Sequence, residues 1–173
     1  MSFLSAIAVI SLLVMFPVLL SLRKTGVPGI ASFCAACLLT TLAASVAMAV
    51  SVAPVWFHAI VGGTLMAGAG LLMLRGFRQF LGRRPLGAWP IAITLAGVAT
   101  MLGLFSYAAD NPSARISVCA GFLSLTCFLI GATIVRHWPR ERPIAPYMLF
   151  CCVMAFLVAV LHALRGGNGW HWF

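Results

Sequence analysis

Residues 88–108 read AWPIAITLAGVATMLGLFSYA and contain no charged side chain. The run is long enough for a helix to cross the hydrocarbon core of a bilayer, which takes roughly 20 apolar residues. Arg83-Arg84-Pro85 precedes it and Asp110-Asn111-Pro112 follows it, so charged residues and prolines mark both ends. Backbone polar groups must be bonded internally in hydrocarbon, and the run lacks the alternating polarity of a barrel strand. It is therefore predicted to be a transmembrane helix.

Runs of the same character recur along the whole chain. They predict six transmembrane helices, at residues 3–22, 30–52, 54–74, 88–108, 114–135 and 144–164. Six spans leave too few residues for an extramembrane domain of ordinary size. We therefore expect residues 1–173 to form a single integral-membrane domain, an all-α polytopic bundle of six transmembrane helices.

The composition excludes several classes of protein. Of the 173 residues, 63% are apolar and 8% are charged, whereas soluble domains carry about 25% charged residues. A soluble enzyme, a disordered tail and a nucleic-acid-binding module are all excluded, and the lipid bilayer is the expected partner. The sequence also shows no Ser/His/Asp set, no paired carboxylates and no phosphate-binding loop, so we expect no enzyme active site in this chain.

The cationic residues are distributed unevenly between the predicted loops. Only Arg115 and Arg165 fall on the side that also holds the N-terminus. Because cytoplasmic loops are enriched in Lys and Arg, this bias predicts that the N-terminus lies outside and that, after six spans, so does the C-terminus. The nine cations on the opposite side are Arg23, Lys24, Arg75, Arg78, Arg83, Arg84, Arg136, Arg140 and Arg142.

Four of these cations are predicted to lie in one loop between the third and fourth spans: Arg75, Arg78, Arg83 and Arg84. One interpretation is a cytoplasmic docking face for anionic lipid headgroups or for a partner. The favoured interpretation is that the four arginines only set the orientation in the membrane, because cytoplasmic loops are enriched in Lys and Arg whatever their function.

Two stretches of sequence carry a resemblance to a known family. Residues 74–83 read LRGFRQFLGR, and residues 110–116 read DNPSARI before an apolar helix that ends at Arg136. Together they resemble the N-terminal membrane sensor region of bacterial GGDEF-type diguanylate cyclases. In that family a bundle of six to seven helices often carries a Gly-x-Arg-x-Phe-x-Gly-Arg turn after the third helix. The resemblance implies a multi-pass sensor and signal-transduction module in the bacterial inner membrane.

The resemblance also implies what would follow residue 173. A seventh helix would return the chain to the cytoplasm, where the cyclase domain would produce cyclic di-GMP. This chain contains no such helix, no cyclase domain and no Gly-Gly-Asp/Glu-Glu-Phe signature. No catalytic residue can therefore be carried over, and we expect the sensor part alone.

Several ionisable residues are predicted to gather at the outer face. The ligand-binding candidates are His58, Asp110, Arg115 and His162, and the metal candidates are His58, His162 and His171. Imidazole and carboxylate suit zinc, copper or haem iron, and ionisable residues within spans are functional candidates by default. No pair has the i, i+4 spacing of a local metal motif, so side chains bonded to water or backbone carbonyls are the favoured interpretation, and no cofactor is required.

The loop around Asn111 allows two interpretations. Asp110 and Arg115 bracket Asn111-Pro112, and an ion pair between them would shape an outer ligand cleft. The favoured alternative is a helix cap in which Ser113 or Asn111 supplies an oxygen to the first turn of the fifth span.

Small residues recur every four positions in the third span, at Ala59, Gly63 and Ala67. This pattern lets helix backbones approach closely. Packing within the bundle is the favoured interpretation. The alternative is a homodimer face, which a cyclase sensor would need.

All six cysteines, which include Cys34 and Cys37 in a C-x-x-C spacing, lie in predicted spans. The thioredoxin-like context of that spacing is missing, so we expect small packing residues and no disulfides.

Three functions remain open from the sequence. The first is a membrane sensor that passes a helix shift to a cytoplasmic output, and the alternative is a haem- or metal-binding membrane protein that uses the outer histidines. A small transporter or assembly scaffold is the second alternative, but the lack of charges in mid-span argues against transport.

Overall fold

The computed structural model describes residues 17, 20–21, 24, 26–48, 54–108, 111–137 and 145–167. Within these ranges the regular structure is entirely helical, which confirms the predicted all-α class. The helices are α1 (Ile30–Met48), α2 (residues 55–80), α3 (Ala88–Tyr107), α4 (Pro112–Arg136) and α5 (Ala145–Gly167).

Each of these five helices is long and apolar enough to cross a membrane. They correspond to the second to sixth predicted spans, and the predicted start of α3 at residue 88 agrees with the structure. The first predicted span, residues 3–22, lies outside the described residues except for Pro17, Leu20 and Ser21. The structure therefore supports five helices that could span a membrane and leaves the first predicted span a prediction.

The helix of the third span extends beyond the predicted end of that span at residue 74. Helix α2 continues to Phe80, so Arg75 and Arg78, which we expected in a loop, lie in its last two turns. Cationic side chains are favourable at this end because they complement the partial negative charge of the helix C-terminus. The helix ends only where Gly82 adopts a φ of 70°.

Helix α2 is irregular near its start. It consists of a short α-helical piece (Val55–Phe57), a π-helical turn (His58–Gly62) and a long α-helical part (Gly63–Phe80). Single π-helical turns inside α-helices often occur at functional sites. The π-helical turn therefore indicates a functional site near the start of α2.

Contacts at both ends of the bundle show that α2 runs antiparallel to both α1 and α3. The start of α1 meets the end of α2, where Ser32 Oγ donates a hydrogen bond of 2.8 Å to Gln79 Oε1. At the opposite end, the rings of Trp56 at the start of α2 and Tyr107 at the end of α3 lie 6.4 Å apart. Helix α2 packs against α1, α3 and α4, and α5 packs mainly against α4.

This arrangement separates the described cations between two ends. We call the end where α1 begins and where α2 and α4 finish the basic end, and the opposite end the histidine end. Arg115 and Arg165 belong to the helix turns at the histidine end. The basic end holds Lys24, Arg75, Arg78, Arg83, Arg84 and Arg136. Which end faces the cytoplasm stays a prediction.

Two clusters of buried side chains hold the helices together. Ala67, Val98 and Leu102 join α2 to α3 near the middle of the bundle. The other cluster, nearer the basic end, contains Leu74, Ile130, Ile134, Met148 and Cys152. Large apolar side chains remain exposed around the outside, among them Phe150 on α5, as expected for a surface that faces lipid.

Candidate functional site

A cavity of about 540 Å³ opens at the histidine end of the bundle, between α1, α2, α4 and α5. Its walls are mostly apolar, with Met66 from α2 and Leu123 from α4 among them. Three polar side chains also line it: His58, Arg115 and His162. The structure thus brings together three of the four residues that the sequence singled out for ligand binding.

His58 reaches the cavity from the first position of the π-helical turn in α2. Its side chain is half-buried, and its Nδ1 atom is buried without a hydrogen-bond partner among the described residues. A buried polar atom left unpaired costs roughly 1–3 kcal/mol. A polar group of a ligand that reached Nδ1 would remove that cost.

Arg115 lies in the first turn of α4, whose start is held by a side-chain cap. Asn111 Oδ1 accepts hydrogen bonds of 3.1 Å from the backbone N–H groups of Ser113 and Ala114. The predicted helix cap is therefore confirmed, and Asn111 is the residue that provides it. Asp110 lies outside the described residues, so the alternative ion pair with Arg115 stays a prediction.

His162 completes the set from α5. The two described metal candidates, His58 and His162, therefore line the same cavity, whereas His171 lies outside the part of the chain that the structure describes. Within that part, no group of three or more His, Cys, Asp or Glu residues could hold a metal ion. The metal hypothesis is left with two imidazoles and no third ligand among the described residues.

The small residues of α2 lie against neighbouring helices of the same chain. Ala59 and Gly63 line the cavity, and Ala67 is 2% exposed in the central cluster. A Cβ atom at Gly63 would lie 2.6 Å from Leu102 Cδ1 and 3.0 Å from Cys119 Sγ. Gly63 thus allows α3 and α4 to approach α2 beside the cavity, while the homodimer alternative stays a prediction.

The four arginines predicted to form one docking face take up different positions. Arg75 is half-buried, and its Nε has no hydrogen-bond partner among the described residues. Arg78 and Arg83 line a second cavity, at the basic end, together with Arg136. Arg84 is exposed, and its backbone carbonyl accepts a 3.0 Å hydrogen bond from Arg78 Nε.

Sequence reasoning missed several residues of the histidine-end cavity. Ala43 and Ala47 of α1 and Cys119 of α4 form part of its lining, and no pattern in the sequence distinguishes them from other small span residues. The six cysteines are free thiols, of which Cys34 and Cys152 are buried. One signal could have found Cys119: it lies one turn beyond Arg115 on α4, so both side chains are on the same face of the helix.

No protein-family model, curated protein or solved structure matches this chain.

Proposed function

We propose that this chain is a membrane-embedded sensor and that the histidine-end cavity is its ligand site. The observation that carries the proposal is the meeting of His58, Arg115 and His162, which belong to three different helices, around one cavity. A volume of about 540 Å³ falls within the range of roughly 300–1,000 Å³ typical of small-molecule sites.

The chemistry of the lining favours an amphiphilic anion. The described part of the lining is mainly apolar, with Arg115 as its one charged residue and no acidic side chain. A guanidinium and two imidazoles are suited to a carboxylate or another acceptor-rich headgroup, since guanidinium donors match carboxylate oxygens. The apolar walls suit a hydrocarbon body that enters from the bilayer.

Binding would report through helix positions. A ligand that touches α2, α4 and α5 together favours the packing in which the three polar groups reach it best, and so shifts the equilibrium between helix arrangements. We infer that this shift is passed to a cytoplasmic output. The resemblance of residues 74–83 and 110–116 to the sensor region of GGDEF-type diguanylate cyclases supports a cyclase as that output, in a bacterial inner membrane with the N-terminus outside.

The ligand site is tested with three probes that share one hydrocarbon chain: decanoate, decanol and decylamine. We expect decanoate to raise the thermal unfolding temperature of the detergent-purified chain more than the other two. His58→Ala and Arg115→Gln should each weaken decanoate binding by about tenfold, the value of one charge-assisted hydrogen bond.

Arg84→Gln is the matched control for Arg115→Gln, because Arg84 is exposed at the opposite end of the bundle and lines neither cavity. It should leave decanoate binding unchanged. Equal stabilisation by decylamine, or an equal loss in the Arg84→Gln variant, would contradict the proposed site.

Because His58 and His162 line one cavity, the same preparation also tests the haem alternative. A Soret band that disappears in both His58→Ala and His162→Ala would replace the proposed amphiphile with haem. A colourless preparation that binds decanoate supports the sensor proposal.

The cyclase link has its own test. The coding sequence downstream of codon 173 should encode a seventh apolar run followed by a GGDEF domain. A different output domain there would overturn the cyclase link and leave the ligand site standing.

A further inference from the structure

The second cavity, at the basic end, has a different chemistry. It has a volume of about 640 Å³ and lies between the end of α2 and the last turns of α4. We call it the arginine cavity. Its cationic lining consists of Arg78, Arg83 and Arg136, with His137 beside them. Leu129 and Ala132 of α4 form an apolar wall.

The end of α2 places two of these arginines around the cavity. Gly82 has a φ of 70°, its N–H donates to the Gln79 carbonyl at 3.0 Å, and the N–H of Arg83 donates to the Arg78 carbonyl at 2.8 Å. These paired bonds form a Schellman motif, which ends a helix by reversing the direction of the chain. The reversal brings Arg83 back beside Arg78, although the two are five positions apart in the sequence.

Local hydrogen bonds hold other lining groups in place. Arg78 Nε donates to the carbonyl of Arg84, a bond that uses one of the five N–H donors of the guanidinium. On α4, the Nδ1 atom of His137 donates a 3.0 Å hydrogen bond to the carbonyl of Thr133. The arginine cavity is thus bordered by side chains whose positions are restrained from both helices.

The charge of the cavity lacks a described counter-charge. The chain has two acidic residues, Asp110 and Glu141, and both lie outside the described residues. Arg136 gains some stabilisation from the end of α4, because cations are favourable at helix C-termini. The helix C-terminus does not explain why three guanidinium groups share one cavity, because like charges so placed repel each other.

Guanidinium groups match phosphate oxygens with paired hydrogen bonds, which makes phosphate the favoured anion. The apolar wall indicates the rest of the ligand. Leu129 is 43% exposed, and Phe128 and Leu125, further along α4 towards the middle of the membrane, are 53% and 55% exposed. An acyl chain can therefore lie along α4 while a headgroup phosphate occupies the cavity.

We propose that the arginine cavity binds the phosphate of an anionic phospholipid such as phosphatidylglycerol, with an acyl chain along the exposed apolar surface of α4. Basic pockets between transmembrane helices are known to bind such headgroups. This site lies at the other end of the bundle from the histidine-end cavity and does not depend on the proposed sensor function.

The test measures thermal unfolding of the whole chain in neutral detergent micelles as phosphatidylglycerol or phosphatidylcholine is added. Phosphatidylglycerol should raise the unfolding temperature in a saturable way, and phosphatidylcholine should not. Glycerol phosphate and inorganic phosphate, which lack acyl chains, should need at least about tenfold higher concentrations for the same effect.

Arg83→Gln and Arg136→Gln should each weaken the phosphatidylglycerol effect by about tenfold. Arg84→Gln is the matched control: it removes the same charge from the loop that holds Arg83, but the Arg84 side chain does not line the cavity and its hydrogen bond is made by the backbone. Unfolding temperatures in phosphatidylcholine show whether each variant folds.

Three results would overturn the proposal. Equal stabilisation by the two lipids would show that headgroup charge is not recognised. An equal loss in Arg84→Gln would reduce the effect to general surface charge. Equal potency of inorganic phosphate would assign the cavity to a free anion.

Discussion

Gly29 and Gly76 show how single residues bring α1 and α2 into contact. Gly29 has a φ of 90°, and a Cβ atom on it would overlap the carbonyl oxygen of Gly76. On the other side of the contact, a Cβ atom on Gly76 would lie 2.8 Å from Cε1 of Phe33. Glycine is needed at position 29 because main-chain atoms of Gly76 fill the space, whereas a side chain at position 76 would force the Phe33 ring to move.

Gly29→Ala should therefore lower the free energy of unfolding by about 3 kcal/mol, since it combines a left-handed backbone conformation with a clash against main-chain atoms. Gly26→Ala is the matched control. Gly26 has a similar φ of 72° but no atom within 4 Å of the added Cβ, so it should lose only about 1 kcal/mol. Denaturant titration in detergent measures both, and equal losses would show that the contact with Gly76 does not matter.

At the scale of the helices, the motif that carries the family resemblance has a structural explanation. Gly76 contacts α1, and the ring of Phe77 meets that of Phe33 edge to face at 5.2 Å. Gln79 accepts the hydrogen bond from Ser32, and Gly82 ends the helix. Most residues of the 74–83 motif therefore pack α2 against α1 or end α2. The arginines of the motif lie between these packing residues, which fix their positions.

The start of α4 yields a second prediction. Asn111→Ala should lower the free energy of unfolding by about 1 kcal/mol, because it leaves the N–H groups of Ser113 and Ala114 without their acceptor. Asn111→Asp should keep most of the stability, since a carboxylate accepts the same bonds and is favourable at a helix N-terminus. Thermal unfolding compares the two variants, and an equal loss in both would argue against the cap.

The π-helical turn has a consequence for the site. His58 is the first residue of this turn, which joins the short start of α2 to the long α-helical part of the same helix. Because each residue of an α-helix advances by about 100° around its axis, a local change of winding alters the direction in which His58 points. This turn therefore contributes to whether His58 reaches the cavity.

At the scale of the whole molecule, the antiparallel bundle and the separation of its cations predict the orientation. A fluorescent protein that folds only in the cytoplasm should be active when it is inserted after Gly82, and alkaline phosphatase inserted there should be inactive. Alkaline phosphatase inserted after Asn111 should be active, because this loop lies at the histidine end and the positive-inside rule places it outside. The reverse pattern would overturn the predicted orientation.

The sequence by itself determined the helical class and the positions of the five described helices, except for the end of α2. Apolar run length and flanking charge are local properties, and the requirement for internal backbone hydrogen bonds in lipid leaves helices as the only solution for such runs. The histidines and Arg115 could also be chosen from sequence, because ionisable residues within or beside apolar spans are rare.

Only the tertiary structure decided which of these residues line the same cavity. The histidine-end cavity is lined by His58, Arg115 and His162 because α2, α4 and α5 pack with particular rotations about their axes. In the arginine cavity, the turn after α2 brings Arg83 beside Arg78, and α4 adds Arg136. Rotation and winding depend on close contacts such as those of Gly63 and Gly29. An apolar sequence contains little information about the rotation of each helix, since any face of an apolar helix can be exposed to lipid. The fit between side chains of neighbouring helices selects the rotation that forms.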